Sequence, residues 1–169
     1  MRRLAIGILS LLVVALVATA YARVVRPAPN FGWIDYNGQQ KTLESLRGQP
    51  VVLLIASSPT NRAFRAQVGQ LQKIYQRFAA QKLVCFAAFT DEGGTIKSNI
   101  PFVVASDGPR VAFLYEVSQR FAIAIIGPDG NLDYITTKVV PAQRIMDIMD
   151  ANFDVQRQLR SEQELPESL

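Results

Sequence analysis

The strongest pattern in the chain is a continuous apolar run, Val51–Ala56, followed by a segment with helical spacing. An apolar run without alternation predicts a strand that is covered on both faces. The next segment has apolar residues at spacings of three and four, which predict one face of a helix, and these residues are Phe64, Val68, Leu71, Tyr75 and Phe78. Between the two elements, Ser58 and Pro59 predict the N-cap and the first residue of that helix.

The remaining patterns predict a series of shorter elements on both sides of this unit. They are a hairpin at 32–42, a helical turn at 43–47, strands at 82–89, 122–126 and 132–137, an edge segment at 100–104, a helix at 107–117, and a last helix that Pro141 opens. Asn37-Gly38 is a favoured turn pair for the hairpin. Thr42 is the predicted cap of the helical turn, and Gly48 closes it. This order predicts two crossover units with parallel strands, plus an antiparallel pair across the turn at 127–130.

The N-terminus has the pattern of an export segment. Arg2 and Arg3 precede a mostly apolar run that ends in Ala20-Tyr21-Ala22. A positive start, an apolar run and an Ala-x-Ala end are typical of a secretory signal peptide. The run is also long enough to cross a bilayer, so that cleavage after Ala22 and retention as an N-terminal membrane anchor both stay open.

The chain therefore divides into four predicted parts. Residues 1–22 are the signal peptide or hydrophobic anchor helix, and 23–30 are an extended linker that contains two prolines. Residues 31–153 are the folded domain, and 154–169 are a polar tail that prolongs the last helix and then frays.

Two features of the composition exclude whole classes of chemistry. The chain has no histidine, which removes the commonest general base, the triads that depend on it and the usual transition-metal ligand. It has one cysteine, Cys85, which excludes an intrachain disulfide and a cysteine-based zinc site. The net charge of +4 includes Arg2 and Arg3, and no basic run carries interleaved aromatic residues. We therefore expect no metal, no cofactor and no nucleic acid.

The order of the elements, together with two short motifs, resembles the thioredoxin-like superfamily over about residues 31–153. The motifs are Leu43-Glu44-Ser45-Leu46-Arg47-Gly48-Gln49-Pro50-Val51-Val52-Leu53 before the first buried strand and Ile125-Ile126-Gly127-Pro128-Asp129-Gly130 after the third. The nearest branches are the exported, often membrane-anchored thioredoxins and the peroxiredoxins. The resemblance implies a three-layer α/β fold, with a central mixed sheet flanked by helices and an N-terminal hairpin, preceded here by the hydrophobic helix.

The residues that carry redox chemistry in those families are replaced in this chain. The run that matches the thioredoxin motif Trp-Cys-x-x-Cys-Arg-Ala-Glu begins at Thr60, and Asn61 and Phe64 stand at the two cysteine positions. If Thr60 is the threonine of the peroxiredoxin motif, Ala63 stands at the reactive cysteine. The characteristic cis-proline of the fold matches a position at or near Phe121. The CxxC motif and the proline are therefore absent.

The C-terminal half is similar to a bacterial family of thioredoxin-like domains of unknown function. Members of that family close with an apolar strand, a Gly-x-Asp-Gly turn and a helix of the Ile-Asp-x-Met type that continues into arginine- and glutamine-rich residues. The matching residues here are Ile126-Gly127-Pro128-Asp129-Gly130 and the run from Ile145 to Arg160. This resemblance implies the fold and export, and it supplies no activity.

Two sets of residues are candidates for function. A binding loop at the former redox site would include Ser57, Ser58, Thr60, Asn61, Arg62, Phe64 and Phe121. The alternative for its polar residues is helix capping and turn formation, and for Arg62 a solvated helix face. Cys85 is a candidate lone thiol, but a cysteine in the middle of an apolar strand is typically buried and inert.

These observations predict an exported thioredoxin-fold protein without redox cysteines. Its role would be binding or scaffolding in the cell envelope, with an envelope protein as partner and contact with the membrane through the N-terminal helix if that helix is not cleaved. The first alternative is a thioredoxin- or peroxiredoxin-class redox protein that uses Cys85, alone or with a partner thiol. The second is a structural paralogue whose loop binds nothing.

Overall fold

The structure is a computed structural model, and it describes residues 26–163. The predicted export segment, the first residues of the predicted linker and the end of the tail lie outside the described residues. The strands are β1 Arg26–Pro27, β2 Gly32–Ile34, β3 Gln40–Thr42, β4 Val51–Ala56, β5 Val84–Phe89, β6 Phe102–Val104, β7 Phe121–Ile126 and β8 Asn131–Thr136. The helices are a 3-10 helix Leu43–Leu46, α1 Arg62–Gln72, α2 Tyr75–Ala79, α3 Gly108–Leu114 and α4 Ala142–Gln163.

The core of the fold is a six-stranded mixed sheet in the order β1-β8-β7-β4-β5-β6. Strand β4 lies near its middle, parallel to β5 and antiparallel to β7. Strand β6 pairs in parallel with the outer side of β5, which confirms the predicted short edge strand. Strands β2 and β3 form the predicted hairpin as a separate two-stranded sheet. The predicted α/β class with a central mixed sheet is therefore confirmed.

The direction of β7 corrects the predicted second crossover unit. The first crossover, through α1 and α2, makes β5 parallel to β4 as predicted. The second connection includes α3, which has only seven residues and spans about 10 Å. The chain has already returned across the sheet between β5 and β6, which are parallel, and the segment with α3 makes no second return. Strand β7 consequently starts at the edge where β6 ends, and it runs antiparallel to β4.

The two faces of β4 are buried against different layers. Val52 and Leu54 belong to a cluster with the apolar residues of α1, α2 and α4. Val51, Leu53 and Ile55 belong to a second cluster with the hairpin and α3. All of β4 is at most 1% exposed, which explains its run of apolar residues without alternation.

Aromatic residues connect the hairpin and α3 to the second face of the sheet. The rings of Phe31 and Trp33 lie 5.1 and 4.7 Å from the ring of Phe86 on β5. Tyr115 is 3% exposed, and its hydroxyl donates a hydrogen bond to the carbonyl of Pro29 at 3.0 Å. The hairpin and the residues just before it therefore pack against the sheet and α3 through these ring contacts and this hydrogen bond.

Two predicted features of the first helical regions need correction. Thr42 precedes the 3-10 helix but its side chain makes no capping hydrogen bond, and its carbonyl instead accepts a bond from Ser45 Oγ at 2.7 Å. The amphipathic segment after β4 forms two helices, because the chain turns at Lys73 and Ile74. Phe78 remains fully buried on the same face as the residues of α1, so that the break does not change which side faces the sheet.

One end of the domain differs from its predicted boundary, and the other continues as predicted. Within the segment predicted as a linker, β1 pairs antiparallel with β8 and adds an edge strand to the sheet. At the other end, α4 continues without interruption past residue 153 to Gln163, in agreement with the predicted prolongation of the last helix. Within residues 26–163, no helix combines the length and the apolar character needed to span a membrane.

Gly108 allows α3 to pack closely on the end of β5. A Cβ atom at this position would lie 1.9 Å from the carbonyl oxygen of Phe89, which is impossible for any residue with a side chain unless the backbone moves. The N-terminus of α3 therefore lies directly against the carboxyl end of β5, next to the loops described below.

Candidate functional site

Three strands end or begin at one edge of the sheet, and Ser57 connects them. The backbone N–H of Ser57 donates to the carbonyl of Arg120, just before β7, at 3.1 Å. Its carbonyl accepts from the N–H groups of Asp91 and Glu92, just after β5, both at 3.1 Å. The loops after β4 and β5 and before β7 therefore form one hydrogen-bonded unit, at the edge of the sheet where α/β proteins commonly bind ligands.

Asn61, and not Ser58, is the N-cap of α1. Its Oδ1 accepts hydrogen bonds from the N–H groups of Ala63 at 2.9 Å and Phe64 at 3.1 Å. Its Nδ2 donates to Ser57 Oγ at 3.2 Å and to the carbonyl of Arg120 at 3.1 Å. The predicted cap at Ser58 is wrong because the helix starts three residues later than Pro59 indicates, and an asparagine is an equally good cap.

Replacement of Asn61 by alanine should destabilise the protein by roughly 2 kcal/mol, since it removes both the helix cap and the two donated bonds. Asn61→Asp keeps an acceptor for the helix N–H groups and loses the donors, so we expect an intermediate loss. Urea denaturation of both variants checks these values. Arg62→Ala is the control, because Arg62 is exposed and its removal should change stability by less than about 0.5 kcal/mol. A loss at Asn61→Ala no larger than the control would contradict the capping role.

Among the other residues at the redox positions, Phe64 and Phe121 are part of the protein interior, and Ala63 is half-buried. Phe64 is 1% exposed, and its ring lies 5.3 Å from that of Phe89. Ala63 donates its N–H to the Asn61 cap. Phe121 is the first residue of β7 and is 4% exposed, and among residues 26–163 no peptide bond is cis. The positions that carry cysteine and cis-proline in redox relatives therefore have structural roles here.

The predicted binding loop consequently has a polar surface above an apolar floor. Ser57, Ser58 and Asn61 are half-buried, and Thr60 and Arg62 are exposed. Ser58 Oγ and Thr60 Oγ1 are hydrogen-bonded to each other at 2.9 Å. Phe64 and Phe121 lie beneath this surface in the core, so that of the predicted loop residues they are the two without an exposed side chain.

Cys85 lies in the middle of β5 and is 1% exposed. It pairs in register with Val52 on one side and Phe102 on the other, within the cluster that faces α1 and α4. Burial raises the pKa of the Cys85 thiol to about 12, because the charged thiolate loses its hydration in an apolar environment. This environment disfavours a nucleophilic thiol.

A cleft of about 470 Å³ lies beside the loop, on the side of α3. Its residues come from four separate segments, and they are Ser57, Thr90, Asp91, Pro109, Ala112, Phe113, Val117, Ser118, Gln119 and Arg120. Phe113 is 81% exposed, which is unusual for a large aromatic side chain. Apart from Ser57, these residues escaped the sequence-based prediction. For the residues of the two loops, the position directly after β5 or before β7 is the signal that could have indicated them.

The fold and the site define a thioredoxin-like protein in which the dithiol positions are occupied by a capping asparagine and a buried phenylalanine. The sequence profile of the AhpC/TSA family matches residues 24–135, and the chain belongs to that family. The sequence matches no curated protein significantly.

Solved structures of redox proteins share the fold at low sequence identity. A thiol:disulfide interchange protein from Chlorobium tepidum is 15% identical, with a TM-score of 0.59 over 79% of this chain and 99% of that one. The mitochondrial 2-Cys peroxiredoxin from Plasmodium falciparum is 17% identical, with a TM-score of 0.58 over 79% and 96%. The exposed lipoprotein thioredoxin from Streptococcus pneumoniae is 15% identical, with a TM-score of 0.56 over 72% and 98%. At these identities the similarity establishes the fold alone.

Proposed function

We propose that this protein is an exported, non-catalytic binding or scaffolding domain of the cell envelope. It contacts a partner protein through the loop at Ser57–Arg62 and the adjoining cleft. The observation that carries the proposal is the hydrogen-bonding of Asn61, whose side chain uses both of its polar atoms to hold the loop in shape at the position of a redox cysteine.

The surface above this scaffold supports a binding role. Thr60 and Arg62 are exposed on the loop, and Asp91 and Arg120 are exposed on the neighbouring loops. Phe113 adds a large exposed apolar group at the border of the cleft. An exposed aromatic ring surrounded by polar and charged groups is a common composition for a protein–protein contact.

Export rests on the N-terminal sequence. Arg2 and Arg3 precede the apolar run that ends at Ala22, as in a secretory signal peptide or an N-terminal anchor. The thioredoxin from Streptococcus pneumoniae that shares this fold is an exposed lipoprotein, which is compatible with an extracytoplasmic location for a protein of this kind. This chain has no cysteine at residues 1–30 that could carry a lipid anchor.

A redox function through Cys85 has less support. The thiol is in the core, away from the loop, and its raised pKa opposes thiolate formation. Exchange of a disulfide requires an accessible thiolate, which this environment does not favour.

Site-specific photocrosslinking in living cells tests the proposed contact surface. We expect p-benzoylphenylalanine placed at Phe113 or Arg120 to form a light-dependent adduct of defined mass in the envelope fraction. The matched control is the same substitution at Arg144, which is exposed on α4, a helix that packs on the opposite face of the sheet. The yield at the cleft positions should exceed the control by at least about fivefold.

Two outcomes would count against the proposal. Equal adducts at all three positions would indicate nonspecific contact, and adducts confined to the cytoplasm would refute export. Repetition in the Cys85→Ser background separates binding from redox capture, because a non-catalytic contact should give the same adduct without the thiol.

A further inference from the structure

A second cavity, of about 220 Å³, lies on the other side of the loop between the outer surface of α1 and the segment after β5. Pro59, Gly69 and the buried side chains of Phe64 and Val68 form its apolar lining. Arg65 from α1 and Lys97 from the facing segment are exposed and stand at its border. None of the residues that line this cavity is acidic.

Gly69 is a residue that the fold does not explain. It lies in the interior of α1, where glycine is among the least favourable residues for helix stability. Its backbone is in an ordinary helical conformation, and a Cβ atom built on it would meet nothing within 4 Å. Gly108 provides the contrast, because its Cβ would collide with the backbone of Phe89. Within residues 26–163, the missing side chain at Gly69 therefore serves no packing contact, and its effect is to keep the cavity open.

The size and charge of the cavity restrict its ligand. Sites for drug-sized ligands and cofactors usually have volumes of about 300–1,000 Å³, so this cavity is too small for such a molecule and has room for one apolar side chain. The guanidinium of Arg65 and the ammonium of Lys97 at the border would stabilise an anion next to that side chain.

We propose that this cavity binds an apolar side chain adjacent to a carboxylate, presented by a partner polypeptide. The cavity shares Pro59 and Thr60 with the loop of the proposed contact surface but is separate from the cleft on the side of α3, and it assigns a ligand chemistry that the proposed function does not include. The apolar side chain fills the space that Gly69 leaves open, and the neighbouring aspartate or glutamate pairs with Arg65 or Lys97.

Selection from a phage library of random heptapeptides on the full-length protein tests this proposal. Enriched peptides should contain Leu, Ile, Met or Phe next to Asp or Glu. A synthetic peptide with the enriched sequence should bind the Gly69→Met variant, in which the new side chain fills the cavity, at least about tenfold more weakly. Arg65→Gln should weaken its binding about three- to tenfold, and replacement of the acidic residue of the peptide by its amide should weaken it to a similar extent. The control Ala66→Met places the same side chain at an exposed position of α1 and should change binding by less than twofold.

Two further measurements test the premise and the location of the site. They are the thermal stability of a Gly69 variant and peptide binding by a variant of the cleft. Gly69→Ala should raise the midpoint of thermal unfolding by roughly 2–4 °C, because alanine favours the helix and meets no neighbour. A decrease would mean that the fold requires the glycine, which removes the premise of the proposal. Failure to enrich acidic–apolar peptides, unchanged binding to Gly69→Met, or an equal loss of binding in Phe113→Ala would each overturn it. The last result would assign the peptide to the cleft.

Discussion

Native Cys85 is expected to react with a chromogenic thiol reagent at pH 8 at least about a thousandfold more slowly than the same cysteine in urea-unfolded protein. Burial raises the pKa of the thiol from its ordinary value of 9.0 to about 12, and each unit lowers the thiolate fraction at pH 8 about tenfold. Restricted access in the interior of β5 slows the reaction further. The rate of absorbance change in native and unfolded protein measures the ratio directly.

The same environment predicts that the purified protein neither reduces an insulin disulfide nor consumes peroxide faster than a free-thiol control. Cys85→Ser should retain partner binding, with a stability loss of about 1–3 kcal/mol from a hydroxyl in the core. Rapid reaction of the native thiol, combined with loss of function in Cys85→Ser, would refute the non-catalytic proposal and support a one-cysteine redox protein.

The sign of the thiol pKa shift also determines how stability depends on pH. The folded-state pKa of Cys85 is higher than the unfolded-state value, so the folded protein retains a proton that the unfolded chain loses. The contribution to stability is therefore fully present below about pH 9 and is lost as the pH rises from about 9 towards 12. Burial also raises the pKa values of Tyr75 and Tyr115, which adds to the loss at the upper end of this range.

Leu54→Ala is expected to lower the free energy of unfolding by about 2–5 kcal/mol, the usual cost of a large cavity in a packed core. Leu54 is 0% exposed on β4 and contacts the cluster that α1 and α4 cover. Its strand pairs on both sides, with Ala87 of β5 and Ile123 of β7 in register, so that the surroundings have little freedom to collapse into the space. Chemical denaturation monitored by far-ultraviolet circular dichroism measures the change.

Ile34→Ala is the matched control for this substitution. Ile34 is 58% exposed at the end of β2, and its truncation should cost less than about 0.5 kcal/mol. If Leu54→Ala cost no more than Ile34→Ala, β4 would not be the central buried strand of the fold.

The apolar pattern of the chain was sufficient to predict the central elements. Val51–Ala56 is buried on both faces, and a strand in that position cannot alternate apolar and polar residues. Strand β7, Phe121–Ile126, follows the same rule, and its predicted range missed only the first residue. The predicted turn positions of Gly38 and Gly48 are also confirmed, since these residues adopt φ values of 76° and 91°, which favour glycine.

The candidate site was partly predicted because substitution at known motif positions can be read from the sequence. Asn61 and Phe64 replace the two cysteines of the thioredoxin motif, so the sequence alone excludes a redox dithiol at this site. The roles of these two residues could not be derived in the same way. Asn61 caps α1 through local bonds from Ala63 and Phe64, but its amide also donates to the carbonyl of Arg120, which lies 59 positions later in the sequence. Phe64 lies on the apolar helix face that its spacing predicts, but its ring contact with Phe89 depends on the position of β5.

The remaining features depend on contacts between segments that are distant in the sequence, and local sequence patterns do not predict such contacts. The fully buried side chain of Gln67 exchanges two hydrogen bonds with the backbone of Val140, across 73 positions, and so holds the segment that leads into α4. The antiparallel direction of β7 follows from the earlier return of the chain between β5 and β6, and the close approach of Gly108 to Phe89 follows from the packing of α3 on β5. Periodicity along the chain indicates which residues are buried, because most buried side chains are apolar. The contact partners of those residues are determined by three-dimensional packing, which brings together residues that lie far apart in the sequence.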